Sequence, residues 1–141
     1  MVDGASFVVR IPQAMYAEMV AHVVEGYPNE ACGAVGSKDG RVVKHYPTAN
    51  AAEHPDDFSI IDPRELLDIF DDIEEYEGEM IYYHSHPKSE AYPSPRDKEW
   101  ARRNKLLYII FSHQFYPEPP YARVFFIRDD DTVAEGKMEI V

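Results

Sequence analysis

Side chains that could bind a divalent cation lie close together in one stretch of the sequence, residues 83–97. If His84 and His86 are on a β-strand, their side chains point to the same face, roughly 7 Å apart at the backbone. Two imidazole rings at that spacing can share one zinc ion, at nitrogen–zinc distances of about 2.0–2.1 Å. Asp97, at the start of the helix predicted next, would add an oxygen ligand. Three protein ligands leave a fourth tetrahedral position open for water, as in catalytic zinc sites.

Each part of this pattern also has a simpler interpretation. Two alternating histidines at the end of a buried strand are often hydrogen-bonded polar residues that bind no metal. The segment from Ser94 to Asp97 is a good helix start in its own right, with a serine N-cap, a proline at the first helical position and an acid in the first turn. The two parts together, after an apolar strand and with an acid upstream, are more specific than either alone.

The upstream acid is Glu30. Hydrolysis by an activated water needs a general base that takes a proton and returns it to the leaving amine, and a glutamate suits that task. We expect Glu30 at the start of a strand, with Gly33 allowing close packing. An exposed loop acid is the alternative interpretation, and Glu53, Asp57 and Glu90 offer the same chemistry.

At these positions the chain resembles the JAMM (MPN-domain) zinc metalloproteases. Their motif is an upstream Glu, then His-x-His-Pro, six residues, Ser, two residues and Asp, and every position is matched here. The resemblance implies His84, His86 and Asp97 as zinc ligands. It implies Glu30 as the general base and Ser94 as a hydrogen-bond donor to the developing oxyanion, a role that fits the need for a preorganised donor. It also implies peptide or isopeptide hydrolysis and a cytidine-deaminase-like α/β fold.

A wider resemblance, over about residues 8–128, is to the actinobacterial CysO–cysteine peptidase family. Members release a newly made cysteine from the C-terminal glycine of a small ubiquitin-like sulfur carrier. The expected partner is therefore such a carrier, with its C-terminal tail extended beside a sheet edge. The alternatives are tail trimming of another ubiquitin-like carrier, deubiquitinase-like cleavage, and a non-catalytic MPN scaffold. The gap between His86 and Asp97 has no room for an insertion that grips ubiquitin, and the segment after Asp129 lies outside both resemblances.

Composition and charge exclude several other classes of protein. A formal net charge of −12 makes nucleic acid an unfavourable partner, and the local basic cluster at residues 96–103 is interleaved with acids. No apolar stretch approaches the ~20 residues of a membrane span, and residues 1–7 lack the features of a secretion signal. The single cysteine, Cys32, excludes an internal disulfide framework and the Cys-x-x-Cys pair of zinc deaminases. We expect a cytoplasmic protein without membrane contact, with Cys32 a buried apolar residue or an auxiliary thiol, and a homodimer left open.

The elements that must position these residues alternate between strands and helices. The predicted strands are residues 6–11, 31–36, 41–46, 58–61, 80–83, 107–111, 123–128 and 132–140. Helices are predicted to begin at Pro12, at Asp62 with a stop at Gly78, and at Ser94. This alternation predicts an α/β fold with a single mixed β-sheet flanked by helices, in one domain spanning residues 1–141.

The second predicted helix has an apolar stripe at helical spacing, which we expect to face the sheet. Its members are Leu66, Ile69, Phe70, Ile73 and Tyr76. The acidic residues between positions 68 and 79 are interpreted as the solvated face of this helix, and a docking surface for a basic partner is the alternative.

Overall fold

The computed structural model describes residues 7–141. Ser6, the first residue of the first predicted strand, and most of the segment examined for a secretion signal lie outside the described residues. In chain order the elements are β1 (Val8–Ile11), α1 (Gln13–Gly26), β2 (Cys32–Lys38), β3 (Arg41–Thr48), α2 (Pro63–Glu75), β4 (Glu79–His86), α3 (Pro95–Asn104), β5 (Leu107–Ser112), β6 (Tyr121–Ile127), β7 (Val133–Glu135) and β8 (Lys137–Ile140). None of the helices in residues 7–141 combines the length and apolar character needed to cross a bilayer.

All eight strands form one sheet, in the order β7-β6-β5-β4-β2-β3-β1-β8. The β4–β5, β1–β3 and β1–β8 pairs are parallel, whereas the remaining neighbours are antiparallel. The predicted single mixed sheet flanked by helices is therefore confirmed.

The helices cover both faces of this sheet. On one face, Met19 and Val23 of α1 pack into a buried cluster that includes Tyr83 of β4. On the other face, Ile73 of α2 and Ala101 of α3 pack into neighbouring buried clusters. Because successive residues of β4 alternate between these faces, one strand contributes both to the core under α1 and to the space between α2 and α3.

The predicted strand at residues 58–61 is wrong. This segment follows a turn and lies outside the sheet. Its backbone groups bind residues 50 and 51 and no strand: the Phe58 carbonyl accepts from Asn50 Nδ2 at 2.9 Å, the Ile60 N–H donates to Asn50 Oδ1 at 3.1 Å, and the Ile60 carbonyl accepts from the Ala51 N–H at 2.9 Å. Apolar composition predicts burial there, but the side chain of Asn50 satisfies the backbone that a strand would have offered to a ladder.

The single strand predicted at residues 132–140 is divided by Gly136. The part before it, β7, pairs with β6 at one edge of the sheet, and the part after it, β8, pairs in parallel with β1 at the other edge. The sheet coils so strongly that its two edges meet, and the Gly136 N–H donates to the Val124 carbonyl at 2.9 Å. A Cβ at Gly136 would collide with the ring of Phe7, so this crossing requires glycine.

The end of α2 also differs from the prediction that Gly78 stops the helix. The helix ends at Glu75, and the left-handed residue that follows is Glu77, with φ 57°. The Gly78 N–H donates to the Ile73 carbonyl at 3.0 Å. A Cβ at Gly78 would lie 2.6 Å from the Tyr76 ring, so the glycine permits close approach here, not a positive φ.

The apolar stripe of α2 is confirmed at Ile69 and Ile73, which are buried, and is wrong at Phe70, whose side chain is 37% exposed. Residue 70 is turned about 100° from residue 69 on a helix, so it lies at the margin of the buried stripe. The acidic residues of this region are mainly exposed, and Asp72 pairs with Lys44 at 2.7 Å.

Candidate metal centre

Strand alternation in β4 places both histidines of the His-x-His motif on the face that α2 and α3 cover. His84 is fully buried and His86 is 6% exposed. Neighbouring strands flank them on both sides: His84 is paired in register with Cys32 of β2 and with Ile110 of β5. The two rings are therefore held at the end of an interior strand, with little freedom to move.

Asp97 reaches the same point from the first turn of α3, where a capping box fixes its carboxylate. The Asp97 N–H donates to Ser94 Oγ at 3.1 Å, and the Ser94 N–H donates to Asp97 Oδ2 at 2.9 Å. These reciprocal bonds are the local signal that makes Ser-x-x-Asp a helix start. The buried hydroxyl of Tyr108 donates to the other carboxylate oxygen, Oδ1, at 3.3 Å.

The structure brings His84, His86 and Asp97 together, as the sequence predicts. One potential ligand atom from each lies within 4.8 Å of the others, and all three side chains are buried. His86 Nε2 is 3.0 Å from Asp97 Oδ2, and His84 Nε2 is 3.3 Å from Asp97 Oδ1.

The hydrogen bonds of these side chains fit a bound cation. His86 Nδ1 lies 2.8 Å from the Glu90 carbonyl, which can only accept, so Nδ1 carries a proton. In the neutral ring this leaves the lone pair on Nε2, directed toward the carboxylate. Both ring nitrogens of His84 are buried without a hydrogen-bond partner, since its 3.3 Å contact with Asp97 is not aligned as a hydrogen bond. Buried unpaired nitrogens are rare, and two imidazoles with one carboxylate are a typical zinc donor set.

The charge state of Asp97 also suits metal binding. Burial alone would raise the pKa of Asp97, but His84, His86 and the Ser94 N–H together hold this pKa well below its usual value. Burial lowers the pKa of His86, yet Asp97 and the Glu90 carbonyl reverse that effect and raise it. Asp97 is thus an anion, which is the form that binds a cation.

Glu30 lies beside His84, His86 and Asp97. It precedes the first residue of β2 by two positions, so the predicted strand start at Glu30 is off by two residues. Its N–H donates to the Pro55 carbonyl at 2.7 Å, and its carbonyl accepts from Asn50 Nδ2 at 2.9 Å. The carboxylate accepts a hydrogen bond from the Ser59 side chain. Burial raises the pKa of Glu30, and the nearby rings of His84 and His86 oppose that shift. A raised pKa is the usual adjustment of a carboxylate that takes and returns protons.

The three competing acids do not share this position. Glu53, Asp57 and Glu90 are exposed, and Glu90 acts at the site through its backbone carbonyl. The close packing expected at Gly33 is confirmed, because a Cβ there would lie 2.7 Å from the ring of Tyr83.

Sequence reasoning missed Ser85 and Asn50, which hold the segment that carries Glu30. The Ala31 N–H donates to Ser85 Oγ at 2.9 Å, and the Ser85 N–H donates to the Ala31 carbonyl at 3.0 Å. Ser85 is the unspecified residue of His-x-His, so the motif itself gives no signal of its contact. The side-chain amide of Asn50 is hydrogen-bonded through both its nitrogen and its oxygen to backbone groups in residues 30–60. Only the folded chain reveals these partners.

Cys32 is fully buried, and its Sγ lies 3.5 Å from Thr48 Oγ1. Burial raises the pKa of the thiol, so it stays protonated, in line with the buried apolar role expected from the sequence. Three other histidines make ordinary contacts: His22 with the Cys32 carbonyl, His45 with Glu18 and Tyr83, and His113 with the Val23 carbonyl.

The expectation that a substrate tail lies extended beside a sheet edge stays a prediction. β4 is an interior strand, and the edges formed in the described sheet are β7 and β8. The segments that flank His84, His86 and Asp97 are residues 50–61, which contact Glu30, and residues 87–94, which join β4 to α3.

Comparison with known families and proteins gives consistent matches. Residues 12–127 match the family described as "Prokaryotic homologs of the JAB domain". The chain is 34% identical over 112 residues to the CysO-cysteine peptidase of Mycobacterium tuberculosis, covering 77% of this chain and 76% of that protein. It is 35% identical over 101 residues to the desampylase of Haloferax volcanii, covering 67% and 73% respectively. The solution structure of DSY2949 from Desulfitobacterium hafniense superposes with a TM-score of 0.80 at 33% identity, covering 94% of this chain and 92% of that one.

Proposed function

Because this chain belongs to the family of prokaryotic JAB-domain homologs and is a hydrolase of the JAMM peptidase type, we propose that it cleaves the bond after the C-terminal glycine of a small ubiquitin-like carrier protein. The observation that carries this proposal is the buried convergence of His84, His86 and Asp97 beside Glu30. The similar proteins include a CysO-cysteine peptidase and desampylases, which supports a carrier protein as the substrate.

The bond cleaved is, on this proposal, the peptide bond between a carrier and a single C-terminal cysteine, as the final step of a cysteine biosynthesis route. Alignment with the CysO-cysteine peptidase over 77% of the chain favours this substrate. The second candidate is trimming or release of another ubiquitin-like carrier from a conjugate, which the similarity to desampylases favours.

The chemistry follows from the positions of five side chains. His84, His86 and Asp97 would hold a zinc ion, which when bound acts as a Lewis acid and lowers the pKa of water in the site. Glu30 takes a proton from the attacking water and delivers it to the amine that leaves. Ser94 donates a hydrogen bond from its hydroxyl to the scissile carbonyl oxygen as negative charge develops there. The hydroxyl can still donate, because in the helix cap Ser94 Oγ acts as the acceptor from the Asp97 N–H.

Intact-mass spectrometry tests the proposal directly. The zinc-loaded protein is incubated with ubiquitin-like carriers that end in Gly-Gly-Cys, and we expect at least one carrier to lose the mass of one cysteine residue. If no carrier changes mass, the chain is better explained as a non-catalytic scaffold.

The variant Glu30→Gln provides the matched test of the general base. It preserves the size of the side chain and removes its ability to take a proton, so we expect zinc content to stay stoichiometric and turnover to fall by about 10²–10⁴-fold. Glu53→Gln, at an exposed acid of the neighbouring segment, should cleave at the normal rate. Normal cleavage by Glu30→Gln would show that another group is the base.

A further inference from the structure

Most basic side chains in this acidic protein are paired, but several beside the metal centre are not. Within residues 7–141, the Lys and Arg side chains that make neither an ion pair nor a hydrogen bond are Arg41, Arg64, Lys88, Arg96 and Lys98. Three of these, Lys88, Arg96 and Lys98, belong to the segment that joins His86 to Asp97 and continues into α3. Three of the five unpaired cations therefore lie in or next to the segment that joins His86 to Asp97.

Arg96 is the member of this group that reaches across the site. Its guanidinium carbon lies 4.2 Å from the centre of the Phe58 ring, on the opposite flank. Residue 59, next to Phe58, donates the hydrogen bond to the Glu30 carboxylate. Lys98 instead lies over the ring of Tyr92, 5.8 Å from its centre, and Lys88 is exposed. Arg96 thus links residues 50–61, which contact Glu30, to the start of α3, which carries Ser94 and Asp97.

Helix stability does not explain an arginine at this position. Arg96 is in the first turn of α3, where the partial positive charge of the helix disfavours a cation. A residue that opposes the local preference without a compensating ion pair is a candidate for function. Stacked on an aromatic ring, a guanidinium keeps its in-plane N–H groups free, and those groups bind a carboxylate in a bidentate manner.

The two classes of substrate considered above differ in whether they have a free carboxylate next to the scissile bond. A single amino acid at the end of a carrier has a free α-carboxylate one residue beyond the scissile bond. A lysine joined to a carrier through its side chain is part of a target protein and has no carboxylate there. An unpaired arginine one residue before Asp97 can distinguish the two substrates, because it gains a charge-assisted hydrogen bond only from the free carboxylate.

We propose that Arg96 binds the free C-terminal carboxylate of the residue being released, which makes the protein an exopeptidase that removes one terminal amino acid in preference to an isopeptidase. This inference rests on the proposed function and adds to it the group that selects the substrate.

Two versions of one substrate test the inference: a carrier that ends in Gly-Gly-Cys with a free carboxylate, and the same carrier with a C-terminal carboxamide. Zinc-loaded wild type should cleave the free acid with a kcat/KM roughly 10- to 100-fold above that for the amide, the range expected for a hydrogen bond to a charged group. In Arg96→Gln the ratio of the kcat/KM for the acid to that for the amide should fall to about 1, whereas zinc content stays at the wild-type level.

Arg41→Gln is the matched control, because Arg41 is equally unpaired but begins β3, at the turn end of the β2–β3 hairpin, away from Glu30. It should keep the full preference for the acid. A wild type that cleaves acid and amide equally, or a preference that survives Arg96→Gln, would overturn the role of Arg96 while leaving the peptidase function intact. A protein that cleaves neither substrate would reject the proposed function itself.

Discussion

At the scale of single residues, Ser85 does more than separate the two histidines proposed to bind the metal. Its side chain is fully buried, and its two hydrogen bonds with Ala31 join β4 to the residue that follows Glu30. The strand that positions the histidines therefore also positions the proposed base. Any change at Ser85 should alter the distance between the Glu30 carboxylate and the substrate without touching a ligand.

The variant Ser85→Ala tests this link. It leaves the Ala31 N–H buried without an acceptor, which costs about 1–3 kcal/mol of the free energy of unfolding. We expect kcat to fall roughly 10- to 100-fold because a misplacement of the order of 1 Å suffices for such a loss, while KM and zinc content change little.

Ser37→Ala is the control for a loss of stability alone. Ser37 is also buried, and its hydroxyl donates to the Glu79 carbonyl at 3.4 Å, at the other end of the same strand pair. If denaturant unfolding shows similar destabilisation and both variants keep the wild-type kcat, Ser85 does not position Glu30.

A second prediction at this scale concerns the metal ligands. His84→Ala removes one of the three proposed ligands, so we expect zinc to be lost from the purified protein, as measured by atomic emission together with protein concentration. His22→Ala, at a histidine that binds a backbone carbonyl, should keep one zinc per chain. Stoichiometric zinc in His84→Ala would remove this residue from the ligand set.

At the scale of elements, the N-terminus of α3 combines two tasks in Ser94. The hydroxyl caps the helix by accepting from the Asp97 N–H, and it is the proposed donor to the oxyanion. Glycine at an N-cap costs only a few tenths of a kcal/mol relative to serine, so Ser94→Gly separates the two tasks.

For Ser94→Gly we expect nearly unchanged thermal stability and zinc content, with kcat lower by about 10²–10³-fold, the effect of removing one oxyanion donor. Steady-state kinetics on a carrier substrate measures the change, and Ser94→Thr, which keeps both the cap and the donor, should recover most of the rate. Wild-type turnover in Ser94→Gly would show that the serine serves the helix alone.

Elements with a clear local signal were predicted well, whereas two predicted strands, whose outcome depends on side-chain or sheet contacts outside the segment itself, were not. The apolar run before His84 predicts β4, and the serine cap, proline and acid of the first turn predict α3. The segment at residues 58–61 has the composition of a strand, yet its partner is the Asn50 side chain. The final strand is divided at Gly136 because the sheet brings its opposite edges together.

At the scale of the whole molecule, a metal at this site would join β4 to α3, two elements that are otherwise linked by residues 87–94. A cation that binds only the folded chain stabilises it by about 2.7 kcal/mol when its concentration is 100 times Kd. We therefore expect zinc to raise the melting temperature of the chelated protein by several degrees. The increase should be lost at about pH 5, because metal binding requires unprotonated histidines.

Differential scanning calorimetry with and without zinc measures this shift, and His84→Ala provides the control in which zinc should have no effect. A wild-type melting temperature that does not respond to zinc would argue against a metal that bridges the two elements. A cytoplasmic location, a single domain over all 141 residues and the choice between monomer and homodimer stay predictions from the sequence.

The sequence by itself determined the parts of this protein that depend on residues close together in the chain. Alternation along one strand put His84 and His86 on the same face, and the capping residues three positions apart aimed Asp97 at them. Tertiary structure alone decided how Glu30 is held, through a serine 54 positions from Ala31, and which flanking residue Arg96 contacts. The reason is physical: short-range geometry is fixed by backbone periodicity, whereas contacts between distant segments are selected by the packing of the entire sheet and its helices.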